Sequence, residues 1–320
     1  MPHRKLLNPL NYDFIAEDQE LPDDTVFRIQ ASQIADYFDH TASWYNEKLL
    51  GQQSSFTANT GSVLGTVVHR LCEQRIKNGG AKAEDVNVAM EYVATQASDL
   101  VDPYVIEDNY LPMYHQAKYY MEANPVALAE PHVTTLVKPG ILAGGSIDAV
   151  RILVGDFVEH EGAQLKPDHT RFTKIEELSG MTVEIVDWKT EAALSPSKKM
   201  SKKYEWQLLV YALVLKKEYN ITVETVTDVF ITRNNINRPS PTNPSKMLKD
   251  APSTIGVVSK VVTQDSMEFI QSLLHVVADS VELFVTKPEL RYIISQDLRN
   301  IDATQTLPFT SIGKVAVVDI

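Results

Sequence analysis

The order in which apolar periodicities follow one another along these 320 residues predicts an α/β fold, a mixed β-sheet flanked by helices, with a helical part before it and a helical extension after it. Three observations carry that prediction. Residues 62–77 repeat apolar side chains at helical spacing. Three strand-like runs follow, at Glu130 to Val137, Ile141 to Val154 and Met181 to Lys189. A helical stretch at 201–219 then leads into another β-branched run, Thr225-Val-Thr-Asp-Val-Phe-Ile-Thr-Arg.

Taken in order, residues 1–25 are polar, carry Pro2, Pro9 and Pro22, and read as an irregular arm. A helix starts in Ala31-Ser-Gln-Ile-Ala-Asp-Tyr-Phe with Ser32 as its N-cap, and Trp44-Tyr45 belong to a second, aromatic-rich helical turn. The 62–77 helix stops at Asn78-Gly79-Gly80, since glycine supplies the left-handed residue that ends helices. Residues 83–123 are helical in pattern, with interruptions at Pro103 and Pro112. A polar insert, Glu159 to Gly180, reads as a long hairpin loop between the second and third strands. Residues 236–254 are rich in Pro, Asn and Ser and read as a linker, and an amphipathic helix spans about 264–286. These boundaries divide the chain into an arm (1–25), a core with a helical insert (26–235) and a C-terminal extension packed on the core (236–320).

Composition narrows the function classes. The chain is 44% hydrophobic and 22% charged, as ordinary soluble globular proteins are. With Cys72 alone, no disulfide framework and no cysteine-based zinc or iron–sulfur site can form within one chain, which suits a reducing, cytoplasmic setting. No run approaches the ~18 apolar residues that span a bilayer, so no membrane role is expected. A net charge of −12 weighs against a protein that coats nucleic acid nonspecifically. Against that background, Lys198, Lys199, Lys202 and Lys203 form a local basic cluster that reads equally as a phosphate-binding patch or a solvated loop.

The chemistry concentrates around Val186-Asp187-Trp188-Lys189-Thr190. On a strand, Asp187 and Lys189 share one face. A lone acid–lysine pair at a strand end is most simply structural, because buried charges need partners. Its surroundings change the weighting. Asp148 stands at the centre of the apolar run Gly144-Gly-Ser-Ile-Asp-Ala-Val-Arg-Ile-Leu-Val. His69 follows Gly65 by one helical turn, and that glycine lets a backbone or a phosphate approach. Gln207 and Tyr211 share a helix face, where packing accounts for Tyr211 more readily than for Gln207 on an otherwise apolar face. Glu73 is placed to pair with Arg70 or Lys77. A histidine, two aspartates and a lysine are what an oxygen-liganded divalent cation and an attacking water require. A zinc hydrolase fits poorly, because His69-x-x-x-Glu73 lacks the second histidine of an H-E-x-x-H helix.

The ordered set G-x-x-x-H, G-x-I-D, V-D-W-K-T and Q-x-x-x-Y resembles the PD-(D/E)XK nuclease superfamily over roughly residues 30–235, and more narrowly its RecB-like, phage-type exonuclease branch. That resemblance implies a restriction-endonuclease-like core and a metal-dependent DNA nuclease using Mg²⁺ or Mn²⁺. It further implies an exonuclease acting on single- or double-stranded DNA ends in recombination, repair or replication, beside a recombinase, single-strand-binding or helicase partner. It implies Asp148, Asp187, His69 and the Trp188 backbone carbonyl as metal ligands, Lys189 facing the water, Glu130 as a supporting acid, and Gln207 and Tyr211 along the DNA path. The chain departs from the branch where some members carry four iron–sulfur cysteines: His40-Thr41-Ala42 stands where a Cys-Pro pair is usual, so no iron–sulfur cluster is expected. A nucleic-acid-binding module that keeps the fold without catalysis is the alternative.

Overall fold

Strand pairing in a computed structural model of the chain divides the expected sheet into two. The structure describes residues 27–49, 58–80, 82–95, 100–154, 172–195, 197–235, 239–240, 243–247 and 251–287. The predicted arm at 1–25 and the end of the C-terminal extension lie outside these, as does much of the 159–180 insert.

The element order is β1 (Phe27–Gln30), α1 (Ile34–Asp39), α2 (Thr41–Lys48), α3 (Thr60–Asn78), α4 (Ala83–Thr95), α5 (Pro103–Ala123), β2 (Leu128–Ala129), β3 (His132–Lys138), β4 (Ile141–Ser146), β5 (Ala149–Val154), β6 (Thr182–Glu191), α6 (Lys202–Tyr219), β7 (Thr222–Thr232), β8 (Pro239–Ser240), β9 (Asn243–Met247), β10 (Ile255–Val261) and α7 (Gln264–Thr286). A five-stranded sheet runs β10-β7-β6-β5-β2, and a three-stranded one runs β1-β4-β3. In the larger sheet β6 pairs antiparallel with β5 and parallel with β7, with α6 as the crossover between the parallel pair.

This arrangement explains why β6 reads as an almost unbroken apolar run. Val183 and Ile185 enter the core shared with α6 and α7, whereas Val186 and Trp188 enter a second core under α3, α4 and α5. A strand covered on both faces has no solvent side to keep polar. The Trp188 ring lies edge-on to Tyr120 of α5 with centroids 5.7 Å apart, which fixes the strand against that layer.

Several expectations are corrected. The run Ile141–Val154 is two strands in different sheets, so Asp148 sits at the bend between them instead of mid-strand. Pro112 does not interrupt α5, because Ile106, Met113 and Ala117 around it are anchored in the core and outweigh the lost backbone hydrogen bond. Pro103 opens that helix, with Asp102 as N-cap accepting from the Tyr104 and Val105 amides. Ser32 does not cap; it lies in a 3-10 turn, and Gln33 precedes α1 without a side-chain cap. The linker at 236–254 carries the short β8–β9 ladder, and β10 after it forms a sheet edge absent from the sequence reading.

Candidate active site

β5 stops pairing with β6 at the Ala149–Val186 pair, one residue short of Asp187. Asp148, just before β5, fills the gap with its side chain: Oδ2 accepts from the Trp188 N–H at 2.8 Å. A carboxylate thus takes the place of a strand carbonyl at the end of the β5–β6 ladder. The same oxygen lies 3.3 Å from His69 Nδ1, delivered from α3. Close helix–strand approach makes that reach possible, because a Cβ on Gly65 would stand 3.0 Å from Thr190 Oγ1. Gly65 therefore serves packing between α3 and β6 and places His69 one turn further along.

On the opposite face of β6, Asp187 and Lys189 form an ion pair, and the Lys189 ammonium also sits 4.2 Å from the centre of the Tyr204 ring. Their side chains are 3% and 15% exposed, so this pairing is largely desolvated. Tyr211 is buried, and its hydroxyl occupies the space that a side chain on Gly145 would need, the Cβ position lying 2.9 Å from it. Gln207 Nε2 donates to that hydroxyl at 3.5 Å. Glu130, between β2 and β3, holds a left-handed backbone (φ 51°) and donates its N–H to the Asp148 carbonyl at 3.2 Å.

Burial and mutual repulsion set the electrostatics. Burial opposes ionisation of Asp148, but His69, Lys189 and the Trp188 N–H outweigh it and hold the carboxyl below its ordinary range. Burial likewise opposes a charged His69, and Asp148 overrides it, raising the imidazole. Lys189 is raised despite burial by Asp187 and Asp148 and stays an ammonium. Asp187 is pushed up by burial and by Asp148, against the pull of Lys189. Burial, Asp148 and Glu73 push Glu130 up to about 8. Tyr211 is raised chiefly by burial.

One acid of this face went unassigned in the sequence. Asp228 of β7 is in register with Asp187, so the two side chains project from the same face of adjacent strands. It is fully buried, and neither carboxylate oxygen has a hydrogen-bond partner among the described residues. Burial and Asp187 push it up to about 7, against Lys189 and Lys198. Glu184, another buried acid of β6, shows the ordinary solution: Arg151 Nη1 donates to Oε2 at 2.7 Å and Thr227 Oγ1 to Oε1 at 2.5 Å. The signal for Asp228 was the one that exposed Asp148, an acid inside a β-branched run, but its register with Asp187 required the pairing.

The basic cluster is largely engaged. Lys198 pairs with Glu191, Lys202 with Asp39 and Lys203 with Asp36, while Lys199 is exposed. Glu73 pairs with both Arg70 and Lys77.

The donor set suits a hard cation. Asp148 and Asp187 offer carboxylate oxygens from one strand junction, and the Trp188 carbonyl faces the same gap as its N–H, where β5 has ended. Among the described residues, no three His, Cys, Asp or Glu side chains are gathered around one point, since Asp187 leans on Lys189 and Asp148 on His69. Two carboxylates and a carbonyl fit Mg²⁺ or Mn²⁺, which keep waters in their remaining positions. The orphaned oxygens of Asp228 beside them leave this buried face short of positive charge.

Among the described residues no helix is long and apolar enough to cross a membrane. No curated protein matches the chain. A crystal structure named "Putative exonuclease", from Eubacterium rectale, aligns over 98% of this chain and 100% of its own at 12% identity, with a TM-score of 0.43. The family model of the PD-(D/E)XK nuclease superfamily matches residues 28–310, most of the chain, and the chain belongs to the PD-(D/E)XK nuclease superfamily.

Proposed function

We propose that the chain is a Mg²⁺- or Mn²⁺-dependent deoxyribonuclease of the RecB-like branch, an exonuclease acting on DNA ends in recombination, repair or replication. PD-(D/E)XK nucleases generally use divalent metals, and the family implies a nucleic-acid substrate. The observation that carries the reading is the pair of acids flanking the point where β5 gives way beside β6, Asp148 on the Trp188 N–H and Asp187 on Lys189.

Asp148, Asp187 and the Trp188 carbonyl would hold the cation, which supplies a water of lowered pKa and neutralises charge at the phosphorus. The residues of the chain do the rest. His69 fixes the orientation of Asp148 and keeps it ionised. Lys189, held as an ammonium beside Asp187, is placed to orient the attacking water or to steady charge on a phosphoryl oxygen. Tyr211 and Gln207 pack beside the site, and Gly145 leaves room for the phenol. Glu130, backbone-bonded to Asp148, adds a further acid whose carboxyl is pushed up by burial and by Asp148. Lys199 is the member of the lysine cluster best placed for phosphate contact, because the other three already pair with acids of the chain.

The test is Mg²⁺-dependent degradation of end-labelled linear DNA beside a closed circle, with Asp187→Ala and Lys189→Ala as controls. Sparing of the circle and loss of degradation in both variants are expected; full activity in both variants overturns the site. Salt-sensitive DNA binding with no turnover under any divalent cation would instead identify a binding module on the same fold.

A further inference from the structure

We propose that Asp228 is the second seat of Lys189, a positioning residue that receives the ammonium when Asp187 turns to a cation. The inference rests on the reading of Asp187 as a metal ligand given above. Asp187 and Asp228 are register partners on parallel strands, and Lys189 lies two residues along the same face from Asp187. Two buried carboxylates therefore flank one ammonium. Lys189 is committed to Asp187, and the other cation nearby, Lys198, is committed to Glu191 at 2.5 Å and packs over the Phe230 ring at 4.4 Å. Asp228 is left fully buried with both oxygens lacking hydrogen bonds among the described residues, although Glu184, a buried acid on the other face of the same sheet, has both of its own satisfied.

An uncompensated buried carboxylate beside a lysine-occupied ligand is half of an exchange. With a dication on Asp187, the ammonium cannot stay in contact with the same carboxylate, because the two positive charges repel in a desolvated site. The lysine has a flexible four-carbon stem, and the carboxylate across the strand pair needs a donor. Transfer to Asp228 frees Asp187, satisfies Asp228, and leaves the ammonium anchored beside the site instead of loose in it.

The predicted consequence is energetic coupling between Asp228 and Lys189 in cation binding. Mn²⁺ affinity is measured by calorimetry on the folded full-length protein for wild type, Asp228→Asn, Lys189→Met and the double variant, with Asp187→Ala as the control for the site. Asp228→Asn is expected to weaken Mn²⁺ binding about tenfold when Lys189 is present, the usual scale for outer partners of metal ligands, and to have little effect in the Lys189→Met background. Asp228→Ser, a smaller neutral side chain, makes the same test if the asparagine variant does not fold. An equal loss in both backgrounds would mean that Asp228 acts on the cation through space, and no loss in either would mean that it does not act; each overturns the inference while leaving the metal site intact. Wild-type protein that binds no Mn²⁺, or Asp187→Ala that binds it as well as wild type, overturns the metal-site reading and this inference together.

Discussion

Asp228→Asn should make the metal-free protein more stable at pH 8 than at pH 5 relative to wild type. Burial and Asp187 raise this carboxyl from the ordinary 3.8 to about 7. A raised carboxyl favours folding while it is protonated in both states, below about 4. Above that the unfolded chain releases the proton and the folded one holds it, so stability falls with rising pH until about 7. Each unit of pH across that window costs about 1.4 kcal/mol. The full offset is on the order of 4 kcal/mol, and the pH 5 to pH 7 portion is about 2–3 kcal/mol. Asparagine cannot ionise, and its amide is no better partnered than the protonated acid, so the desolvation cost of the neutral group largely cancels between the two proteins. The advantage of the variant should therefore widen by about 2–3 kcal/mol between pH 5 and pH 8. Urea unfolding at the two pH values in the presence of EDTA measures it, and comparison with wild type removes every other titrating group common to both. A variant whose stability difference is the same at both pH values, or that loses ground at pH 8, would show that Asp228 is not a buried, charge-repelled acid.

Other outcomes follow from the same geometry. Lys189→Met leaves Asp187 buried without its cation, so the metal-free protein should lose about 3–5 kcal/mol, and Mn²⁺ should restore much of that loss in thermal melts. Gly144→Ala places a Cβ 1.9 Å from the Val133 carbonyl oxygen at a φ of 157°, so the β3–β4 ladder must shift, and a loss above about 3 kcal/mol is expected in denaturant unfolding. Lys199→Ala should lower the salt dependence of DNA binding by about one unit of slope, whereas Lys202→Ala, whose ammonium is already paired with Asp39, should change it less. Trp188→Ala removes a buried indole anchored on Tyr120 and should cost about 3–5 kcal/mol.

How much was legible in the sequence depended on whether a feature was local. Helix ends with their own chemistry were readable, as at Gly79, which ends α3 in the left-handed conformation (φ 72°), and so was the doubly buried character of β6. Asp148, Asp187 and Lys189 were readable because a charged residue in an apolar run carries a cost visible without a structure. What failed was pairing. The chain from Ile141 to Val154 has one hydrophobic pattern but changes sheets at Ile147-Asp148, and nothing in a period-2 pattern marks a change of partner. The partners of the lysine cluster were hidden for the same reason, since Asp36 and Asp39, which pair with Lys203 and Lys202, lie more than 160 residues away.

Asp228 shows where that limit lies. Its local signal equals that of Asp148, an acid within an apolar strand, yet no motif includes it, and its meaning depends on the register that sets it opposite Asp187. A site described by its motifs alone has two carboxylates, one at the bend before β5 and one on β6, and one lysine to serve them. Register adds a third carboxyl on β7, buried and without a hydrogen-bond partner among the described residues, which holds its proton up to about pH 7. A carboxyl that gives up its proton so reluctantly marks a face short of positive charge, which is what the proposed cation would supply. Under the proposed metal site, a lysine pressed against Asp187 is no obstacle: the ammonium partners that acid in the absence of a cation, and Asp228 on the next strand would receive it when one binds.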